Sequence, residues 1–368
     1  YGINQGFDIF DDDNDSIIFT GSFNRTTNIA LEWLKGNKDK KFFMFLQGYD
    51  AHCPFDPPQE YRAMFEQNYT GNLNESLCVR NSELHDDNEI SSTNFQMTGF
   101  YFENMTVSPN YATLIPVNLS IKDIEHLKSF YDSEIRYTDY LLGSFLDNIK
   151  KLGILDKTII VVIGDHGEIF GSHGRLIRLG RARGALYDEV IRIPFIIKHP
   201  YIKKSMKIDN LVEAIDVSPT ILNFLGIPIR YEVQGKSLIP IINGSNESLH
   251  EYVFSGGEFS GIINMDLFPH RTSNSAIRSK QWKLIFERSK DGQINSLELY
   301  NIEKDPNERL NLIADRPEVA RMLKNRLIEW EDYTIKINDL KKINLTDDEL
   351  RAQGKQAISI NSLIKWAS

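Results

Sequence analysis

Cysteine is close to absent. Two residues, Cys53 and Cys78, occur in 368. Neither stands in a C-x-x-C or zinc-like spacing, so one disulfide and two free thiols both stay open. No run of eighteen apolar residues occurs, and nothing reads as a membrane span. No basic block or aromatic-basic stripe occurs, and the net charge is −9, which excludes nucleic acid as the expected partner. An anionic substrate would have to be held by local cations. No internal repeat is visible. The chain opens Tyr1-Gly2-Ile3, without an initiator Met or a signal peptide, and we expect a fragment or a processed chain. Hydrophobic content of 41% and charged content of 25% are those of a folded globular protein, long enough for one large domain or two.

The chain is organised around Thr158 to Pro194. Ile159 to Ile163 is a short β-branched run, apolar on both faces, which predicts a central strand of a parallel sheet. It ends at Gly164-Asp165-His166-Gly167-Glu168. Open α/β sheets place ligands at the carboxyl ends of strands, so Asp165 and His166 side by side there suggest metal ligands; turn chemistry is the plainer explanation of Asp and Gly after a strand. A second His-Gly follows at His173-Gly174, then Arg175, Arg178, Arg181 and Arg183. A divalent metal with convergent Arg is the composition of a site for a tetrahedral oxyanion.

These residues resemble the sulfatases, within the alkaline-phosphatase-like superfamily. Asp165, His166, Gly167 and Glu168 match the family's strand-end D-[HN]-G-E, and His173-Gly174 its G-x-H-G. Tyr187, Asp188, Glu189, Arg192 and Pro194 match [LM]-Y-[DE]-E-x-x-R-[VI]-P. A second motif, Asp-x-His-x-Pro-[FYW], stands at Asp50, His52, Pro54 and Phe55 after F-F-x-F-L. Gly6-Phe7-Asp8 resembles the family's G-F-D-x-F loop. Tyr131 to Asp139 resembles its Y-D-x-E-I-x-x-x-D helix, read here as packing support. Asp216 to Ile221 and Gln234 to Leu238 resemble segments diagnostic of the family but structural. Leu299 to Glu308 resembles its L-Y-[DN]-x-x-x-D-P-x-E turn. The likeness runs to about Trp330.

Local signals predict the elements between. Thr26 or Thr27 caps a helix with Ile29, Ala30, Trp33 and Leu34 on its face, and Phe42 to Leu46 is a buried strand. Residues 69–118 are polar and without clear periodicity, a long loop. Ser120 and Asp123 suggest a capping box. The helix after it carries Ile124, Leu127, Tyr131, Ile135, Leu142, Phe145 and Ile149, and Gly153 ends it. Ser218 caps a helix stopped by Gly226. From Ser248 the rhythm becomes short alternating runs, a small antiparallel sheet, with a helix from Pro317 to Trp330 packed on it. Several N-x-[ST] sequons, Asn24 and Asn344 among them, are compatible with a secretory route, and we expect a periplasmic or secreted location.

The resemblance implies an α/β fold, a mostly parallel mixed sheet between helices, with a smaller C-terminal α+β antiparallel-sheet subdomain. The expected divisions are 1–247, 248–340 and a tail at 341–368. It implies hydrolysis of a sulfate ester, with a small-molecule or saccharide substrate; the alternatives are a phosphodiester or phosphonate hydrolase and a non-catalytic binding protein. Asp165 and His166 then hold a divalent metal, Ca2+ first, with Mg2+, Mn2+ and Zn2+ open. His52 protonates the leaving oxygen, Arg183 clamps the sulfate with Arg181 as runner-up, and Asp50 and His173 help to bind substrate. The family's nucleophile is a formylglycine made within C/S-x-[PA]-x-R. No such motif occurs here, and it is expected upstream of this chain.

Overall fold

The structure is a computed structural model. It describes residues 4, 6–11, 22–52, 55–65, 68–71, 73, 79–81, 97–103, 113–174, 186–229, 233–258, 272–289 and 292–342. These fall into two compact units. One holds the described residues up to 160, with 170–174 and 339–342; the other holds 161–169 and the described residues of 186–338.

In the first unit, α1 runs Phe23–Asn37 and is capped by Ser22. The expected caps, Thr26 and Thr27, instead lie inside the helix and bond back to Ser22 and Phe23 carbonyls. Residues 41–49 form no helix and, among the described residues, join no sheet. Phe42 and Met44 still pack into a cluster with Leu34, Ile149 and Ile154, while Phe43 and Phe45 are exposed. After α2 (Gln59–Phe65) the expected loop holds a meander instead. Strands β1 (Val79–Asn81), β2 (Met97–Glu103) and β3 (Thr113–Leu119) pair antiparallel in that order. Pro116 hid the last of them, and β3 is an edge strand, where a missing N–H is tolerated.

Helix α3, Ile121–Lys151, begins with the predicted capping box: Ser120 Oγ accepts from Asp123 N, and Asp123 accepts from Ser120 N. Gly153, at φ 74°, follows its end. Its buried face differs from the predicted one. Ile135 is exposed and Glu134 is buried.

In the second unit, β4 (Ile160–Ile163, its first residue belonging to the first unit) pairs with β5 (Phe195–Lys198). Helix α4 is the short Asp188–Ile191. Helix α5, Val217–Phe224, is entered through a 3-10 turn, Ala214–Asp216. Glu213 and Asp216 form the capping box there, so Ser218 is not the cap. Gly226, at φ 67°, follows the helix end as expected. After α6 (Ile239–Ile242) come four antiparallel strands in chain order: β6 Val253–Glu258, β7 Thr272–Arg278, β8 Trp282–Ser289 and β9 Ile294–Asn301. One sheet face buries Ile277, Leu284, Phe286 and Leu299 against Ala320, Leu323 and Leu327 of α7, Pro317–Lys342. No helix of the described residues is long and apolar enough to cross a membrane.

Candidate active-site segments

Asp165 and His166 follow β4, as the strand-end pattern requires. Asp165 is exposed, and its Oδ1 accepts the His166 amide at 2.9 Å. His166 Nδ1 lies 2.8 Å from the Gly167 carbonyl. A carbonyl only accepts, so Nδ1 carries a proton, and in the neutral ring Nε2 presents its lone pair. That Nε2 is 3.5 Å from Asp165 Oδ2. An imidazole nitrogen and a carboxylate oxygen at this separation, with the far ring nitrogen fixed by a carbonyl, fit two ligands of one divalent cation.

The pair is held from behind within its own unit. Gly167 N donates to Val190 O at 2.7 Å, and Gly164 N to Pro194 O at 3.1 Å. A Cβ on Gly167 would lie 2.1 Å from the Glu189 carbonyl oxygen, so only glycine lets the two segments approach this closely. Ile169 is fully buried in a cluster with Leu186, Tyr187, Val190, Ile285 and Tyr300.

The segment behind the pair is fastened in turn to the C-terminal sheet. Tyr187 and Tyr300 hydroxyls both donate to Glu298 Oε2 at 2.9 Å. Lys283, fully buried, reaches Asp188 Oδ1 at 2.9 Å and Glu308 Oε1 at 2.7 Å. Arg278 Nε adds a bond to Asp188 at 3.1 Å, and Glu308 Oε2 accepts the Asp188 amide at 2.6 Å. Burial disfavours the Asp188 charge, but the two cations outweigh burial and hold its pKa below the ordinary value. For Glu308 burial wins and the pKa is raised.

His52 lies in the other unit, in the connection between α1 and α2. Its amide donates to Tyr49 O at 3.0 Å, and its ring sits 4.9 Å from that of Tyr49. Asp50 Oδ2 accepts the Phe23 amide at the start of α1 at 2.7 Å, and burial raises its pKa. Phe55, Tyr131 and Phe170 form an aromatic triangle with centroids 5.1–6.1 Å apart. It packs the His52 loop, α3 and the start of the His173 segment together. His173 itself has φ 52° and ψ 30°, a strained left-handed conformation for a non-glycine residue. Arg181, Arg183 and both cysteines lie outside the described residues, as do Arg175 and Arg178.

One contributor escaped the sequence reading. Glu134 is buried, and its Oε1 accepts the Asp56 amide at 2.8 Å. Leu127, Phe130, Glu134 and Leu141 fall on one helical stripe; an acid inside an apolar stripe was the available signal. Burial first, then the nearby Asp50 and Asp56, push Glu134 up to about 7.

A further carboxylate–imidazole group, Glu213, Asp216 and His250, has its ligand atoms within 4.8 Å of one another. Its hydrogen bonds are already made. Asp216 Oδ1 accepts Lys236 N at 2.7 Å, and its Oδ2 accepts Glu213 N at 2.8 Å and lies 2.9 Å from His250 Nε2. Glu213 Oε1 accepts Phe254 N at 2.8 Å. This cluster fastens α5 to the loops and strand around it.

The family model described as Sulfatase matches residues 1–227, and that described as N-sulphoglucosamine sulphohydrolase, C-terminal, matches residues 182–333. The chain is similar to Arylsulfatase K of Rattus norvegicus, 25% identical over 323 residues, with 84% of this chain and 52% of that protein covered. It is 26% identical over 336 residues to an arylsulfatase of Clostridium perfringens, covering 90% and 58%. The chain thus spans about half the length of these curated relatives. Among solved structures, a phosphonate monoester hydrolase of Agrobacterium radiobacter has a TM-score of 0.60 at 19% identity, with 86% of this chain and 63% of that chain covered. The expected α/β fold of alkaline-phosphatase-like type, with its C-terminal antiparallel sheet, is the fold this likeness shows.

Proposed function

The chain belongs to the sulfatase family, and from that premise we propose that it supplies the later part of a site hydrolysing a sulfate ester. The observation that carries the proposal is the strand-end pair, Asp165 Oδ2 and His166 Nε2 at 3.5 Å, with Nδ1 bonded to Gly167. Asp165 and His166 would hold a divalent metal, which would supply charge to neutralise sulfate oxygens and orient the nucleophile. Calcium suits the carboxylate, while the imidazole keeps magnesium, manganese and zinc within the proposal.

In this reading the imidazolium of His52 gives its N–H proton to the leaving oxygen as the ester bond breaks, because a bare alkoxide leaves poorly. Arg183 stays protonated at neutral pH and clamps two sulfate oxygens, with Arg181 the alternative for that role. Asp50 and His173 would border the substrate. The formylglycine nucleophile would come from outside these 368 residues, since C/S-x-[PA]-x-R does not occur within them.

The test is made in the full-length protein with two substrates. A nitrophenyl sulfate has a leaving oxygen already stable as an anion; a sugar sulfate does not. His52→Ala should slow the sugar sulfate by about 10²–10⁴-fold and the aryl sulfate far less. Arg183→Ala should slow both alike. Equal losses on both substrates for His52→Ala would refute the acid role. Turnover of phosphonate esters without turnover of sulfate esters would replace the sulfatase reading by a phosphonate hydrolase.

A further inference from the structure

The loop that carries His52 is tied at both ends. On one side, Asp50 Oδ2 accepts the Phe23 amide at 2.7 Å. On the other, Phe55 is buried against Tyr131 and Phe170, and the next amide, Asp56 N, reaches Glu134 Oε1 at 2.8 Å. Arg62 closes the same end, with Nε to Pro57 O at 2.9 Å and Nη2 to Asp56 Oδ1 at 2.5 Å. Tyr131 and Glu134 stand one turn apart on α3, so a single helix face grips the loop by a ring and by a carboxyl group.

We propose that Glu134 is a positioning residue for His52, acting through the Asp56 amide to hold the loop that presents the imidazole. The inference rests on the acid role assigned to His52 above. A carboxyl group serves here in either protonation state, since Oε1 accepts the amide with or without a proton on the group. The two states are not equal. The groups facing Glu134 are Asp50 and Asp56, both acidic, the Arg62 cation and the Tyr137 hydroxyl. Burial and the two acids outweigh the Asp56 amide bond and Arg62, and push Glu134 up to about 7. Opening the loop would hydrate the carboxyl group and return its affinity for protons towards the ordinary value. By linkage, a proton on Glu134 favours the closed loop, and rising pH favours opening.

The experiment is amide hydrogen exchange on the full chain, read as the protection factor at Asp56, beside kinetics of the full-length protein. Protection in the parent should fall as pH rises from about 5 to about 8, by at most a few hundredfold for the stated shift. Glu134→Gln keeps the acceptor without the titration, so protection should stay high and flat. Glu134→Ala should be unprotected throughout. In turnover of a sugar sulfate, Glu134→Ala should lower kcat by up to about 10²-fold, as loss of alignment does, with KM little changed. Glu134→Gln should retain kcat, and any fall in kcat at high pH that comes from His52 losing its own proton should remain in it. An Asp56 amide still protected in Glu134→Ala would overturn the proposal. So would an unchanged kcat in Glu134→Ala where His52→Ala is slow. If His52→Ala itself leaves turnover untouched, the acid role falls and the positioning role falls with it.

Discussion

Lys283 is the group whose removal the structure prices most clearly. Its ammonium is fully buried between Asp188 Oδ1 at 2.9 Å and Glu308 Oε1 at 2.7 Å. Lys283→Met keeps the volume and the apolar stem but leaves two buried carboxyl groups behind. Asp188 still has Arg278 at 3.1 Å. Glu308, only 2% exposed, loses the cation paired with it and keeps Asp188 as a like-charged neighbour. Breaking a buried pair from one side costs about 3–5 kcal/mol. Part of that is avoided when Glu308 takes up a proton, which its raised pKa already favours. The loss should therefore be larger at pH about 8 than at pH about 5, because at high pH the proton must come from a scarcer supply. The assay is urea unfolding followed by tryptophan emission, since Trp282 and Trp330 both pack in the apolar cluster of this unit. The double variant Lys283→Met/Glu308→Gln removes the stranded charge and should recover roughly 1 kcal/mol or more of the loss. A single variant within about 1 kcal/mol of the parent at high pH, the worth of an exposed pair, would refute the reasoning.

Three further outcomes are expected. Glu134 titrates at about 7 in the fold against an ordinary 4.5, so about 3 kcal/mol of stability present below the lower value is lost as pH rises through the upper one; unfolding of Glu134→Gln should lack that slope, and identical slopes would exclude Glu134 as its source. Gly167→Ala would set a methyl group 2.1 Å from the Glu189 carbonyl oxygen, and melting should show a loss of about 1–3 kcal/mol together with weaker metal binding; a variant as stable as the parent would mean the two segments can part without cost. Asp165→Ala in the full-length protein should weaken divalent-metal binding at least about tenfold by calorimetry and remove activity with it; unchanged affinity would take Asp165 out of the ligand set.

What the sequence disclosed follows from distance along the chain. The capping box at Ser120 and Asp123 and the strand-end position of Asp165 and His166 are written in neighbouring residues, and both were legible. Glu134 was not, because its partner, the Asp56 amide, is 78 residues away. Periodicity alone offered Ile135 for the buried face. The helix turned one position further and placed the carboxyl group where a backbone donor needed an acceptor. Lys283 and Asp188 are 95 residues apart, so two charged residues in a strand and at the start of a short helix gave no local sign of a buried network. In the region 69–118, Pro116 and the surrounding polar residues masked strands that are defined by pairing with one another.

The saturation of Asp216 has a consequence for how relatives of this chain are recognised. Both of its oxygens are committed to amides and to His250, so its surroundings answer to folding alone. Under the function proposed above, the groups that turn substrate over and the groups that hold the fold would then lie on different stretches of the same sequence. A descendant that had lost the chemistry would be free to drift at Asp165 or His52, yet would still be held to the Asp-Val-Ser-Pro-Thr signature around position 216. Matching that signature in a genome counts architectures; under the function proposed above, counting enzymes would require the strand-end pair as well.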